Sequence, residues 1–92
     1  MNKLNQISEI ENVVLNANSV NPDGRQVIAN KCKEFYNLIE EDVFNAGTEW
    51  MLKGLYNDLC SGNFAEPFMC EKKKETFSTC LKIYQDRILP NL

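Results

Sequence analysis

Between Ile28 and Ala46 apolar side chains return every three or four residues: Ile28, Cys32, Phe35, Ile39, Val43 and Ala46. That interval is the repeat of an α-helix, in which side chains three and four apart share a face. Lys31, Lys33, Glu34, Glu40, Glu41 and Asp42 fall mostly off the stripe. Residues 25–46 are therefore read as an amphipathic helix of about six turns, with one face that other elements must cover. The rest of a 92-residue chain has to be arranged around that requirement.

Leu4, Ile7, Ile10 and Val14 give a shorter helix over residues 3–17. Asn16, Asn18, Asn21 and Pro22 break it, and Pro22-Asp23-Gly24 reads as a turn with Asp23 capping the second helix. Gly47 is a natural stop and Thr48 a cap for a third helix, which runs to about Cys60 with Leu52, Leu55, Tyr56 and Leu59 on one face. Trp50 and Tyr56 are read as core. Ser61-Gly62-Asn63 ends that helix, and an irregular loop spans residues 61–69. A last helix over 70–89 carries Phe77, Cys80, Leu81, Tyr84 and Ile88 inward, and Pro90 closes it. No repeat and no long alternating pattern interrupts this series. The expected fold is all-α, a single domain over residues 1–92 built as a small irregular bundle of about four helices.

Composition narrows the function. The net charge of −3 argues against nucleic acid, whose phosphates require a basic patch. It is also too small for a dense acidic surface. No apolar run exceeds three residues, far short of the ~20 that span a bilayer. Asn2, Lys3, Asn5 and Gln6 interrupt any signal-peptide hydrophobic region. Two expectations are open: a cytosolic chain, or one that begins after a removed signal.

The chemistry of catalysis is thinly represented. With no histidine, the commonest general base and metal ligand is missing. The four glycines are scattered singly, so no Gly-rich phosphate loop exists. Glu40, Glu41 and Asp42 are adjacent in sequence but point in different directions on a helix. The expectation is a non-enzymatic chain with no cofactor and no metal. Zinc hooks keep their cysteines two to four residues apart, whereas the nearest cysteines here have nine residues between them.

Cys32, Cys60, Cys70 and Cys80 form an even set in a chain with a modest core, as in small exported domains stapled by disulfides. Cys70 and Cys80, on one helix, stand roughly 15 Å apart along its axis. A disulfide requires α-carbons within about 7 Å. With two bridges, Cys60–Cys70 with Cys32–Cys80, or Cys32–Cys70 with Cys60–Cys80, remain. The first is preferred because Cys60–Cys70 clasps the 61–69 loop. Its competitor is a single Cys60–Cys70 bridge with buried thiols at Cys32 and Cys80, since a hairpin of the second and third helices sets Cys80 deeper than Cys32. The bundle is thus expected to be disulfide-stabilised and the chain periplasmic or secreted, with a cytoplasmic chain of reduced thiols as the alternative.

Two surfaces are candidates for contact with a protein partner. One is the loop bearing Phe64, Glu66, Phe68 and Met69, because rigid aromatic groups lose little entropy on binding. The competing reading tucks Phe64 and Phe68 over the end of the bundle. The other is the acidic edge Glu40, Glu41 and Asp42, whose plain reading is a solvated face. Lys72-Lys73-Lys74 reads as a solvated first helical turn.

The string Thr79-Cys80-Leu81-Lys82-Ile83-Tyr84-Gln85-Asp86 resembles the Cys-Leu-x-Leu-Tyr segment of periplasmic immunity proteins that neutralise type VI secretion amidase effectors. Cys32, Tyr36 and Ala46-Gly47 are loosely similar to that family's earlier cysteine helix. The resemblance covers about a dozen residues. It implies a small, helical, exported, disulfide-containing inhibitor that plugs a toxin's active-site cleft, and it assigns no inhibitory residue. The expected function is protein binding by steric occlusion, with a toxin, another enzyme or a second copy of the chain as partner. The alternatives are a cytosolic phage- or plasmid-type accessory protein and a small carrier of hydrophobic ligands.

Overall fold

A computed structural model describes residues 3–46, 49–61 and 64–91, the side chains of 49–53 excepted. Gly47, Thr48, Gly62 and Asn63 lie outside the described residues, as do the side chains of Trp50 and Leu52. Four helices succeed one another: α1 (Lys3–Asn16), α2 (Pro22–Asn45), α3 (Glu49–Cys60) and α4 (Pro67–Ile83). The coil of α4 continues through a π turn (Tyr84–Ile88) and a short 3-10 turn (Leu89–Asn91). In the π turn the Leu89 amide donates to the Tyr84 carbonyl, five residues back. Among the described residues there is no strand, and no helix is long and apolar enough to cross a membrane.

The central helix is α2, packed against α1, α3, α4 and the π turn. Its stripe is the spine of the core: Ile28, Cys32, Phe35, Ile39 and Val43 are all buried, and Ala46 packs at the edge. Ile7, Ile10 and Val14 cover it from α1, and Tyr56 and Leu59 from α3. Cys70, Phe77, Cys80 and Leu81 join from α4, with Tyr84 and Ile88 from the π turn. Phe35 lies between two rings, 4.8 Å from Phe77 and 6.4 Å from Tyr56, both tilted. Such pairs contribute about 1 kcal/mol each beyond the area they bury. Leu4, expected on the inner face, is instead exposed. Two steps of three residues leave it about 120° around the axis from Ile10, which turns it away from α2.

Both Pro-initiated helices start earlier than the residue pattern indicates. Pro22-Asp23-Gly24 is the first turn of α2 and not a free turn, and the cap is Asn21 instead of Asp23. The Asn21 side-chain oxygen accepts the Asp23 amide at 2.8 Å, and Pro22 gives up only an amide that would lack a partner. Likewise α4 begins at Pro67, so Phe68 and Met69 belong to its first turn and the connecting loop is shorter than 61–69. Cys70 and Cys80 share this one continuous helix, as the exclusion of a bridge between them requires.

The α1–α2 connection is tied to the start of α4. Lys74 donates to the Ala17 carbonyl at 2.6 Å and pairs with Glu71 at 3.1 Å. Buried Ser19 donates to the Glu71 carboxylate. The Ser19 hydroxyl, then Lys74, holds the Glu71 carboxyl below its ordinary pKa. Arg25 closes the same loop by donating to the carbonyls of Ser19 and Val20, at 3.1 and 2.8 Å.

Candidate functional site

The residues of the α3–α4 corner divide between core and solvent. Phe64 is half-buried and packs against the core, with the Lys73 ammonium 5.6 Å from its ring centre. Phe68 points the other way and is 67% exposed, with the Lys72 ammonium 5.4 Å from its ring centre. Glu66 is exposed and Met69 half-buried. The corner therefore presents Phe68 and Glu66, while Phe64 anchors it.

Lys73 does not belong to a solvated turn. It is only 5% exposed; it donates to the Asp58 carbonyl and lies 3.7 Å from the Asp58 carboxylate. Lys74 is equally committed, through Ala17 and Glu71. The physical reason is helical spacing: Lys73 and Lys74 stand four and three residues before buried Phe77, on the face turned to the bundle, which leaves only Lys72 at the surface.

The acidic triplet also divides. Asp42 turns into the structure, accepting from the Tyr84 hydroxyl at 2.8 Å and pairing with Lys3 at 3.0 Å. Glu40 and Glu41 remain exposed, and neither makes an ion pair among the described residues. They line a cleft of about 330 Å³ at the C-terminal half of α2, together with Tyr36, Asn37, Val43, Phe44 and, from α3, Tyr56. Phe44 at its rim is 65% exposed. Tyr56 is 1% exposed, and its hydroxyl has no hydrogen-bond partner among the described residues. Its ring centre lies 5.5 Å from that of Tyr36. Burial pushes the Tyr56 phenol pKa upward. The residue pattern assigned Tyr56 to the core and did not single out Tyr36, Asn37 or Phe44 for contact. The available signal was the run Tyr36, Glu40, Phe44 at intervals of four, which places an acid between two aromatic rings on one helix face.

All four cysteines are free thiols here; Cys32, Cys70 and Cys80 are buried and Cys60 half-buried. The Cys60 sulfur lies 3.7 Å from the Cys32 carbonyl oxygen, and the Cys70 thiol donates to the Phe64 carbonyl at 3.1 Å. No pair stands at disulfide distance, neither Cys60 with Cys70 nor Cys32 with Cys80. Loss of hydration pushes the Cys32 thiol up to about 12, aided first by the neighbouring Cys60 and against the pull of Lys73. The Cys80 thiol is likewise pushed up to about 12, again by burial and then by Cys60. Cys60 and Cys70 rise for the same primary cause. Protonated, dehydrated thiols are poor nucleophiles. Among the described residues no three Cys, Asp or Glu side chains are grouped to hold a metal ion.

No family model, no curated protein and no solved structure matches this chain.

Proposed function

We propose that this chain is a non-enzymatic helical domain that binds a protein partner and acts by covering part of it, as an inhibitor or immunity protein does. The observation that carries the reading is Phe68, a large apolar ring held two-thirds in solvent on the first turn of a helix. Its backbone is fixed by Pro67 and its ring is accompanied by Lys72. An aromatic group ordered before contact loses little freedom on binding, which is how anchors of protein interfaces gain their energy. Phe64, packed against the core, anchors the same corner.

The test is affinity for a captured partner in two variants. Phe68→Ala should weaken binding by tenfold or more, about 1.4 kcal/mol, with unchanged helicity. Phe64→Ala should lower stability first. Affinity unaltered by Phe68→Ala in a folded protein would refute the corner as the contact surface.

Export to an oxidising compartment, with bridges among Cys32, Cys60, Cys70 and Cys80, belongs to the same proposal. Intact mass after alkylation in denaturant, with and without prior reduction, tests it. Thiols blocked only after reduction support the exported inhibitor. Four thiols blocked without reduction favour the second reading, a cytosolic accessory protein, which the separation of the cysteines beyond disulfide distance supports.

A further inference from the structure

We infer that the cleft at the C-terminal half of α2 receives an arginine side chain presented by the partner polypeptide. The assignment rests on the reading of the chain as a protein-binding domain and names the chemistry of a second contact, away from Phe68. Four observations converge on it. Glu40 and Glu41 bring two carboxylates to one cleft with no cation to neutralise either among the described residues. The next acid along the helix, Asp42, is by contrast already engaged, by Lys3 and Tyr84. Aromatic rings flank the carboxylates, Phe44 open to solvent at the rim and Tyr36 against Tyr56. The Tyr56 hydroxyl, buried in the residue that contributes the α3 wall, has no hydrogen-bond partner among the described residues.

A planar cation suits this set better than a compact one. A guanidinium stacks on aromatic faces and donates in a fork to carboxylates, whereas an ammonium is a strongly hydrated point charge. The Asn37 amide adds a neutral acceptor beside the two charges. The volume of about 330 Å³ holds one long side chain and not a folded segment. An α-carboxylate would be repelled by Glu40 and Glu41, so the occupant is a residue within a chain and not the free amino acid.

The full chain, labelled with nitrogen-15, is titrated with N-acetyl-arginine-methylamide while its amide resonances are followed. Shifts centred on residues 36–44 are expected, with a Kd on the order of millimolar for one side chain. The citrulline analogue, of the same shape but uncharged, should bind at least about tenfold more weakly, as should Glu40→Gln combined with Glu41→Gln. Both glutamates are exposed, so the double variant keeps its fold, which circular dichroism verifies. Equal response to the citrulline analogue, undiminished binding by the double variant, or shifts elsewhere would overturn the assignment. Tighter binding of free arginine than of the capped form would also overturn it, by making the occupant a small molecule. Because the probe reads the cleft alone, its failure leaves the Phe68 surface to be judged separately by partner affinity.

Discussion

Tyr84, beyond the end of α4, donates its hydroxyl to the Asp42 carboxylate of α2 at 2.8 Å, and Lys3 of α1 reaches the same oxygen at 3.0 Å. Three elements far apart in the chain thus meet at one half-buried acid. Tyr84→Phe removes the hydrogen bond while keeping the ring in place. It should cost about 1.5 to 2 kcal/mol, the lower part of the range for bonds to charged groups, because Asp42 retains Lys3. Urea unfolding of the two proteins measures the difference; equal midpoints would show that the bond contributes nothing.

With its four thiols reduced, the protein should be destabilised by alkaline solutions. Unfolded thiols lose their protons above about 9, whereas Cys32 and Cys80 hold theirs to about 12 in the folded chain. Between those limits the unfolded state binds fewer protons, so stability falls as pH rises. The contribution is intact below pH 9 and is lost as pH passes through the folded values. The raised phenols Tyr56 and Tyr84 steepen the decline above their ordinary 10. Denaturant midpoints recorded across this window should fall for the wild type, and fall less steeply when Cys32 and Cys80 are replaced by alanine. A level wild-type profile would refute the account.

Two glycines should respond to alanine in opposite directions. A β-carbon at Gly24 would collide with the Asn18 carbonyl, a backbone group that cannot swing aside. Gly24→Ala should therefore cost about 2 kcal/mol or more, as overpacking does. At exposed Gly54, inside α3, an added β-carbon meets nothing within 4 Å. Gly54→Ala should stabilise by about 1 kcal/mol, since alanine loses less chain entropy in a helix. Thermal melts of both variants settle the signs.

Removing the Lys73 side chain should loosen the α3–α4 corner. Its stem is buried, and its ammonium joins Asp58 of α3 to the Phe64 ring. Lys73→Ala leaves the Asp58 carbonyl and Phe64 without that cover, a loss of about 2 kcal/mol. Lys73→Met keeps the stem and should recover part of it. Hydrogen exchange at the start of α4 would report the loosening; identical protection in wild type and Lys73→Ala would refute this role.

The apolar stripes of α2 and α4 were legible in the sequence because burial follows the helical period almost without exception. What periodicity could not convey is where polar stems go. The same lysine triplet yields one exposed residue, Lys72, and two committed ones, Lys73 and Lys74, whose stems run to groups on other elements, Asp58 and Ala17. The acidic edge was legible as an edge, but consecutive helical positions send Asp42 to Tyr84 and leave Glu40 and Glu41 to the cleft. Likewise, nothing local distinguishes Phe64 from Phe68; the choice is made by the bundle end against which only one of them fits.

The π turn holds one residue more than an α-turn between the Tyr84 carbonyl and the Leu89 amide that closes on it, and its ends Tyr84 and Ile88 are both buried. Its interior residues Gln85, Asp86 and Arg87 all face solvent. Removal of one of them would leave Tyr84 and Ile88 three apart, a spacing that brings two side chains to one helix face as a spacing of four does. The turn acts as slack in the count: at this point, unlike within α2, the length of the polypeptide and the shape of the core are uncoupled.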